Sequence, residues 1–417
     1  MTTRRTGLPL VAVVAAAVAV VSVGLAASPL RPATAAAADT PLAGAQHVLD
    51  ARVEAVATGD KAAWMATVDP QASAAFKDMQ SNQFDGLRQL PLQTYKLTAR
   101  LDDTGDLGSA AAGRYPGATA VFLPETRQTM RFRDYDDRDD VEALWLTFVQ
   151  RANTWRVASD TDAADLALDT ARFLWDLGPL SVQRTDHFLV VSHPAQASRA
   201  MALAALGEQA MTTLSTRWDR PWSHRLPLIL PGSIPELGQL LDSTLDLSKF
   251  VALVTYGAVR DTGYEVSAPR LYVQDTNLSR HDQAFQTETL VHELDHAAAS
   301  NLAGPFVPVW VHEGLADWVA GGDSTTERRP RGSDGRLPRD AEFGAGSQAS
   351  IILNYNEARS AMSALAAAKG RGAPSALFAE IGSHRVEPGN EDYVINRALE
   401  RVAGQSLAAF EAYWARR

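Results

Sequence analysis

The stretch His292-Glu293-Leu294-Asp295-His296 places three side chains suited to metal chemistry within one turn of a helix. Helical residues four positions apart lie on the same face, so both imidazoles can reach a single metal ion. In the H-E-x-x-H pattern the glutamate is not a ligand; it is the general base that takes a proton from a metal-activated water. The pentapeptide therefore predicts a zinc hydrolase. A motif this short also arises by chance, so the neighbouring sequence has to show whether it belongs to a metal site.

The surrounding sequence places the motif in the middle of a helix. Residues 283–301 have the apolar spacing of an amphipathic helix, and Asp282 or Ser279 can cap its amino end. A second apolar segment, 310–318, follows after a turn rich in glycine and proline. We therefore expect two consecutive helices, of which the first carries the histidines.

The second segment contains a candidate for the missing ligand. Two histidines leave a tetrahedral zinc site short of one protein ligand, and catalytic zinc commonly takes a carboxylate there, which Glu313 can supply. Four residues later, on the same helical face, Asp317 can accept the outer N–H of a ligating histidine and fix its ring. His312 is the alternative third ligand, but it lies about 100° around the helix from Glu313. Glu288, one turn before His292, is expected to be a solvated carboxylate.

The two segments together closely resemble the gluzincin metallopeptidases, and within them the peptidase MA-like domains. HELDH is followed by W-V-H-E-G-L-A-D at 310–317, and sixteen residues separate His296 from Glu313, near the spacing of that group. The resemblance implies that His292, His296 and Glu313 bind one zinc ion, that Glu293 is the base, and that Asp317 supports a ligand. It also implies a thermolysin-like α+β domain.

A tyrosine further along the chain is the candidate for stabilising the reaction's oxyanion. In gluzincins a tyrosine or histidine has this role, and Tyr355 is the positional match, at the start of a helix predicted to run toward Gly370. The equal alternative is an aromatic side chain packed on the core. Tyr272 and His281 are less favoured substitutes.

Composition limits the other classes of function. The 417 residues suggest two or three domains, and a net charge of −10 with a pI near 5.4 argues against a nucleic-acid partner. The chain has no cysteine, which excludes a thiol nucleophile, disulfides and cysteine-ligated zinc.

The amino terminus has the order of an export signal. Arg4 and Arg5 precede an apolar run from Leu8 to Ala27, and small residues follow up to Ala38. Residues 1–38 are therefore predicted to be a signal peptide or, since the apolar run is about twenty residues long, a single membrane anchor. Either case places the rest of the chain outside the cytoplasm, secreted or anchored to the outer face of the cell membrane.

Residues 41–162 are predicted to form an α+β domain. Helices are expected first, and alternating apolar residues then indicate a curved antiparallel sheet. The expected helices are 42–68 and 72–90, and the expected strands are 95–101, 120–123, 129–133, 141–151 and 155–160. The phrases RVEAVATGDKAAWMATVD and NTWRVASD resemble NTF2-like domains, which are cone-shaped and have a pocket. The simplest role for the domain at 41–162 is that of a spacer or a protein-interaction module.

Residues 166–417 are predicted to form the peptidase MA-like domain, with a mostly helical carboxyl-terminal part. The expected elements are strands at 187–191, 226–230, 249–259 and 270–273 and a helix at 196–218. Residues 270–275 are expected to be the edge strand that lines the substrate cleft. The polar stretch 321–347 is either a lid or disordered.

The sequence thus predicts an exported zinc-dependent metallopeptidase acting on a peptide or protein substrate. The alternatives are a non-catalytic, extracytoplasmic zinc-stabilised binding protein and an NTF2-like ligand-binding protein with a vestigial second domain. No G-x-M-E-N-like motif precedes His292, so nothing supports an exopeptidase.

Overall fold

The computed structural model describes residues 40–101, 104–241, 247–256, 267–302, 307–344, 346–384 and 389–417. Helices make up 50% and strands 17%, and the strands form small sheets, so the predicted α+β class is confirmed. The expected signal or anchor segment, 1–38, lies outside the described residues. Among the helices that are described, none is long and apolar enough to cross a membrane.

The described chain divides into two compact units. The N-terminal unit comprises residues 40–182 together with 238–241, and the C-terminal unit comprises the remaining described residues from 183 onward. Each unit has its own hydrophobic core.

The N-terminal unit begins with helices and continues into two three-stranded sheets, ordered β1-β3-β4 and β2-β5-β6. Its elements are α1 (Pro41–Thr58), α2 (Lys61–Ala66), α3 (Ala74–Leu87), β1 (Leu92–Arg100), α4 (Gly108–Ala111), β2 (Ala120–Phe122), β3 (Glu125–Phe132), β4 (Asp140–Trp145), β5 (Thr147–Arg151), β6 (Thr154–Ser159) and α5 (Leu174–Leu177).

Two predicted elements of this unit are each divided in the structure. The helix expected over 42–68 ends at Gly59, whose φ of 76° is left-handed, and α2 restarts behind Asp60, which accepts a hydrogen bond from the N–H of Ala63. The strand expected over 141–151 breaks at Leu146, where the chain passes from one sheet to the other. The predictions of one continuous helix and one continuous strand were wrong, because the spacing of apolar residues does not reveal a helix cap or a change of sheet.

The C-terminal unit begins with the strands of a five-stranded sheet and ends in helices. Its elements are β7 (Ser181–Arg184), β8 (Phe188–Ser192), α6 (Ala197–Arg217), β9 (Leu226–Leu230), α7 (Ile234–Leu241), β10 (Ala252–Thr255), β11 (Arg270–Val273), α8 (Asp275–Leu278), α9 (Gln283–Ala299), α10 (Val309–Ala320), α11 (Asp340–Gly344), α12 (Gln348–Lys369), α13 (Ala373–Gly382), α14 (Glu391–Ala403) and α15 (Leu407–Trp414). By the division above, residues 181–182 of β7 and 238–241 of α7 belong to the N-terminal unit. Within 321–347, α11 is the one α-helix among the described residues.

The strand order of this sheet, β10-β11-β9-β8-β7, corrects the predicted edge. β11 lies between β10 and β9, because β10 folds back antiparallel onto it, with Val254 opposite Leu271. The edge strand beside helix α9 is therefore β10, not 270–275. Among the described residues of the expected strand 249–259, only 252–255 form a strand, and residues 257–259 lie outside the described part.

Helix α10 packs on both α9 and α12 in the core of this unit. Asp282 caps α9 by accepting a hydrogen bond from the N–H of Phe285 at 2.9 Å, which confirms one of the two predicted caps. Gly314 lets α10 approach α12 closely, since a Cβ there would lie 2.7 Å from the carbonyl oxygen of Ala358. These contacts fix the helices that carry the predicted ligands.

Candidate metal centre

Helix α9 presents both histidines of the pentapeptide to the same point. His292 and His296 are 3% and 6% exposed, and their Nε2 atoms lie 3.1 Å apart. Two nitrogen lone pairs at this separation repel one another unless a proton or a cation lies between them. The helical period thus produces the convergence expected of i and i+4 residues.

Glu313 reaches the same point from α10. Its two carboxylate oxygens lie 3.4 Å from Nε2 of His292 and 3.6 Å from Nε2 of His296, and its side chain is fully buried. One donor atom from each of the three residues lies within 4.8 Å of the others. The structure therefore brings together the three residues that were predicted from the sequence to be metal ligands.

Asp317 orients the first histidine. Its Oδ1 lies 2.8 Å from Nδ1 of His292, one helical turn beyond Glu313. A carboxylate at this distance holds the imidazole proton on Nδ1, which leaves the Nε2 lone pair directed at the centre.

The chemistry of these donors fits a zinc ion. Two donors about 2.1 Å from one zinc at a tetrahedral angle are about 3.4 Å apart, and the three measured separations are 3.1, 3.4 and 3.6 Å. Within the described part of the chain, neither oxygen of Glu313 accepts a hydrogen bond. A buried carboxylate without a hydrogen-bond donor is costly unless a cation compensates it.

Burial governs the proton affinities of the centre. It would lower the pKa of His292, yet the carboxylate of Asp317, which accepts a hydrogen bond from the ring, and the neighbouring carboxylate of Glu313 raise that pKa well above its ordinary value. Burial, together with the charge of His292, holds the pKa of His296 well below its ordinary range. Burial also raises the pKa of Glu313.

Glu293 is buried beside this centre, at 1% exposure. Burial raises its pKa to about 7, and the backbone N–H of Val254 on the edge strand β10 acts in the opposite direction. Its Oε1 accepts no hydrogen bond from the described residues. A carboxylate held in this way can exchange a proton near neutral pH.

Two features of the site were not predicted from the sequence. Asp295, inside the pentapeptide, is fully buried, and burial raises the pKa of its carboxyl group to about 8. Tyr256, just after β10, places its hydroxyl 3.3 Å from Nδ1 of His312. The i+3 relation of Asp295 to His292 could have indicated a position near the site, but nothing in the sequence pairs Tyr256 with His312.

The remaining candidates lie in different places. His312 is not part of the ligand cluster; its ring packs on Phe378, with centroids 4.8 Å apart, and lies 6.1 Å from the ring of His296. Burial lowers its pKa to about 4. Glu288 is exposed, as predicted.

The three candidates for stabilising the oxyanion also lie in different places. Tyr355 is 3% exposed, within α12 rather than at its start, and its ring makes a T-shaped contact with Phe343. The helix begins earlier than predicted because Ser347 caps it. Tyr272 is buried in β11, and His281 stacks on Phe285 near the start of α9.

No family model, curated protein or solved structure matches this chain.

Proposed function

We propose that the C-terminal unit is a zinc-dependent hydrolase that cleaves peptide bonds. The observation that carries the proposal is the convergence of His292, His296 and Glu313 on one point, with Asp317 bonded to the first histidine. Glu293 follows His292 directly and supplies the buried carboxylate that such chemistry needs. The expected stoichiometry is one zinc ion per chain.

The division of labour follows from the positions of these groups. Zinc bound here would polarise the substrate carbonyl and bring the pKa of water toward about 7. Glu293 would accept the proton of the attacking water and return it to the leaving nitrogen. Asp317 would keep His292 in its ligating tautomer, and Tyr355 is the proposed hydrogen-bond donor to the oxyanion.

The edge strand β10 is the proposed binding place for an extended peptide. It is the outermost strand of its sheet, and the backbone N–H of Val254 faces the carboxylate of Glu293. A peptide that added to this edge by backbone hydrogen bonds would pass next to the proposed base. The substrate is therefore proposed to be a protein or peptide segment that can become extended.

The proposal also includes the fold family of each unit. We infer a gluzincin, peptidase MA-like fold for the C-terminal unit and an NTF2-like fold for the N-terminal unit, on the motifs quoted above. The order of residues in 1–38 supports export, by a removed signal or a retained anchor, and so an extracytoplasmic location.

One observation favours a second candidate, a non-catalytic protein stabilised by zinc. The three ligands are between 0% and 6% exposed, and structural zinc sites are closed, whereas catalytic ones keep a position open to water. The two candidates differ in what they require of Glu293, which only the hydrolase needs.

The test compares three variants of the full chain for bound zinc and for cleavage of an unfolded protein such as casein. Glu293→Gln should keep about one zinc per chain and lose cleavage by roughly a thousandfold or more, since the base is removed but the ligands stay. Glu313→Ala should lose both. Glu288→Gln, an exposed carboxylate on the same helix, is the matched control and should change neither.

The outcomes separate the candidates. A wild-type chain that binds zinc but never cleaves, with Glu293→Gln equally stable, supports the zinc-stabilised protein. A chain that binds no zinc contradicts both.

A further inference from the structure

Helix α10, which carries Glu313, is held at its amino end by a residue from a later part of the chain. Pro308 stands at the N-cap position and makes no side-chain hydrogen bond to the first turn. The N–H of Val309 instead donates to Oδ1 of Asp340 at 2.8 Å, across 31 positions of sequence. The carboxylate thus satisfies a backbone donor that the helix itself leaves unpaired.

The position of Asp340 is fixed by the residues on both sides of it. Leu337 and Phe343, three residues before and after, are 4% and 2% exposed and belong to the hydrophobic core of the unit. The side-chain amide of Asn354 on α12 donates to the carbonyl oxygen of Glu342 at 2.7 Å. Asp340 therefore ties the start of α10 to the core and to α12.

The segment that contains Asp340, residues 323–342, is also bonded near the carboxyl end of α10. The indole N–H of Trp318 donates to the carbonyl oxygen of Ser324 at 2.7 Å. Between the two ends, the backbone N–H of Glu327 donates to the hydroxyl oxygen of Ser363 on α12 at 3.1 Å. The segment thus contacts α10 near both of its ends and contacts α12 between them.

The contact at Val309 affects Glu313 through the helical period. Val309, Glu313 and Asp317 are spaced by four residues, so they lie on one face of α10. One turn, or about 6 Å, separates Val309 from Glu313 along the helix axis. A shift of the amino end of α10 would therefore move the carboxylate of Glu313 relative to His292 and His296.

In the metal-free chain, helices α9 and α10 bring buried acidic side chains together. Glu293 and Asp295 on α9 are 1% and 0% exposed, and Glu313 and Asp317 on α10 are 0% and 7% exposed. Carboxylates that approach one another in a medium of low dielectric constant repel. Without a cation, this repulsion favours separation of α10 from α9 unless other contacts oppose it.

We propose that Asp340 is a positioning residue for the metal centre, because it holds the amino end of α10 and so keeps Glu313 close to the two histidines. The metal and Asp340 favour the same placement of α10, so each strengthens the effect of the other. Loss of the Asp340 hydrogen bond then weakens metal binding, although Asp340 is not part of the ligand cluster. The inference rests on the proposed metal centre and does not depend on peptide hydrolysis.

The test measures the zinc affinity of the full chain by competition with a fluorescent chelator. Asp340→Ala removes the acceptor and should weaken zinc binding by about three- to thirtyfold, the range expected for a lost helix cap. Asp340→Asn keeps an acceptor oxygen in the same place. Its affinity should stay within about twofold of wild type, because asparagine caps helices as well as aspartate does.

Two alanine substitutions are matched controls. Asp60→Ala removes an equivalent cap from α2, where Asp60 accepts the N–H of Ala63 at 2.9 Å, so it should lower stability without changing the zinc affinity. Asp334→Ala removes an exposed carboxylate of the segment 323–342, and its affinity should equal that of wild type. A purely structural role of Asp340 would make Asp340→Ala behave as Asp60→Ala does.

The outcomes separate this inference from the metal centre itself. Equal zinc affinity of Asp340→Ala and wild type overturns the positioning role and leaves the metal centre intact. Asp340→Asn as weak as Asp340→Ala also overturns it, because the charge and not the hydrogen bond would then matter. A wild-type chain that binds no zinc overturns both. If Asp340→Ala does not fold, Asp340→Glu, which keeps the charge but displaces the acceptor, should show the same weakening.

Discussion

At the scale of single residues, the proposed metal centre depends on one hydrogen bond made by a residue that is not a proposed ligand. Asp317 lies 2.8 Å from Nδ1 of His292, and this contact selects the tautomer that directs Nε2 at Glu313. Without the carboxylate, the imidazole could rotate or carry its proton on the nitrogen that must bind the metal.

Asp317→Asn should therefore weaken zinc binding by about 10- to 100-fold with little change in fold. An amide of the same shape can still fill the space but does not attract the Nδ1 proton as strongly. Competition with a fluorescent zinc chelator measures the affinity. Asp334→Asn, in an exposed loop, is the control, and an unchanged affinity in Asp317→Asn would mean that the contact does not orient the ligand.

Tyr355 offers a second test at this scale. Tyr355→Phe should lower kcat by about a hundredfold at unchanged zinc content and KM, because only the transition-state oxyanion loses a donor. Tyr413→Phe, at another tyrosine of the helical part, is the control. If Tyr355→Phe keeps wild-type kcat, the side chain serves packing against Phe343 alone, and the hydroxyl of Tyr256 becomes the next donor to examine.

Asp176 should make the stability of the N-terminal unit depend on pH. Burial raises its pKa from 3.8 to about 7, so between about pH 4 and pH 7 the folded chain holds a proton that the unfolded chain has lost. The folded state is then favoured at the lower pH, and stability falls as pH rises through this window.

Asp176→Asn removes that titration. Relative to wild type, we expect the variant to be more stable at pH 8 than at pH 5, measured by denaturant unfolding. Asp78→Asn, an exposed carboxylate, should show no such trend. A difference between variant and wild type that does not vary with pH would mean that Asp176 is ionised at both.

At the scale of elements, the centre requires α10 to lie close to both α9 and α12. Gly314 makes this possible, since it immediately follows Glu313 and faces the backbone of Ala358. The glycine is needed for space rather than for an unusual backbone conformation, because it lies inside a regular helix.

Gly314→Ala should destabilise the fold by about 1–3 kcal/mol and weaken zinc binding. Its Cβ would lie 2.7 Å from a carbonyl oxygen of α12, which is backbone and cannot rotate away, so α10 must shift and carry Glu313 with it. Gly113→Ala is the control, since a Cβ there meets no atom within 4 Å. Denaturant unfolding and zinc content provide the measurements. A variant as stable as wild type would show that the helices can separate at no cost.

The elements that the sequence predicted well are those fixed by local signals. The start of α9 follows from the capping side chain of Asp282, and the histidine spacing follows from the helical period. The division of 141–151 and the identity of the edge strand depend on which strands pair, and pairing is a property of distant segments. For the same reason, the contact of Tyr256 with His312 had no signal in the sequence.

At the scale of the whole molecule, two groups of buried polar side chains belong to different compact units. The proposed metal ligands lie in the C-terminal unit, and Arg52, Gln128 and Asp176 lie in the N-terminal unit. Each group contains buried polar atoms that have no hydrogen-bond partner among the described residues. Substitutions can therefore change one group without changing the residues of the other.

Zinc removal should destabilise the protein. A metal bound to the folded state alone contributes about 3 kcal/mol at a free concentration a hundredfold above its dissociation constant. Treatment with a chelator should accordingly lower the melting temperature, and added zinc should restore it. His296→Ala should melt at a temperature that the chelator does not change. A wild-type protein equally indifferent to chelator would contradict the metal centre.

The three proposed ligands come from two helices, and this has a consequence for the lifetime of the protein. A cation held by His292 and His296 on α9 and by Glu313 on α10 is a reversible cross-link that closes the sixteen-residue segment between them. Separating the two helices would require release of the cation, so a bound metal stabilises the folded state in a protein that has no cysteine to form a covalent bridge there. Metal supply would thus set how long each molecule survives when it is exposed to proteases.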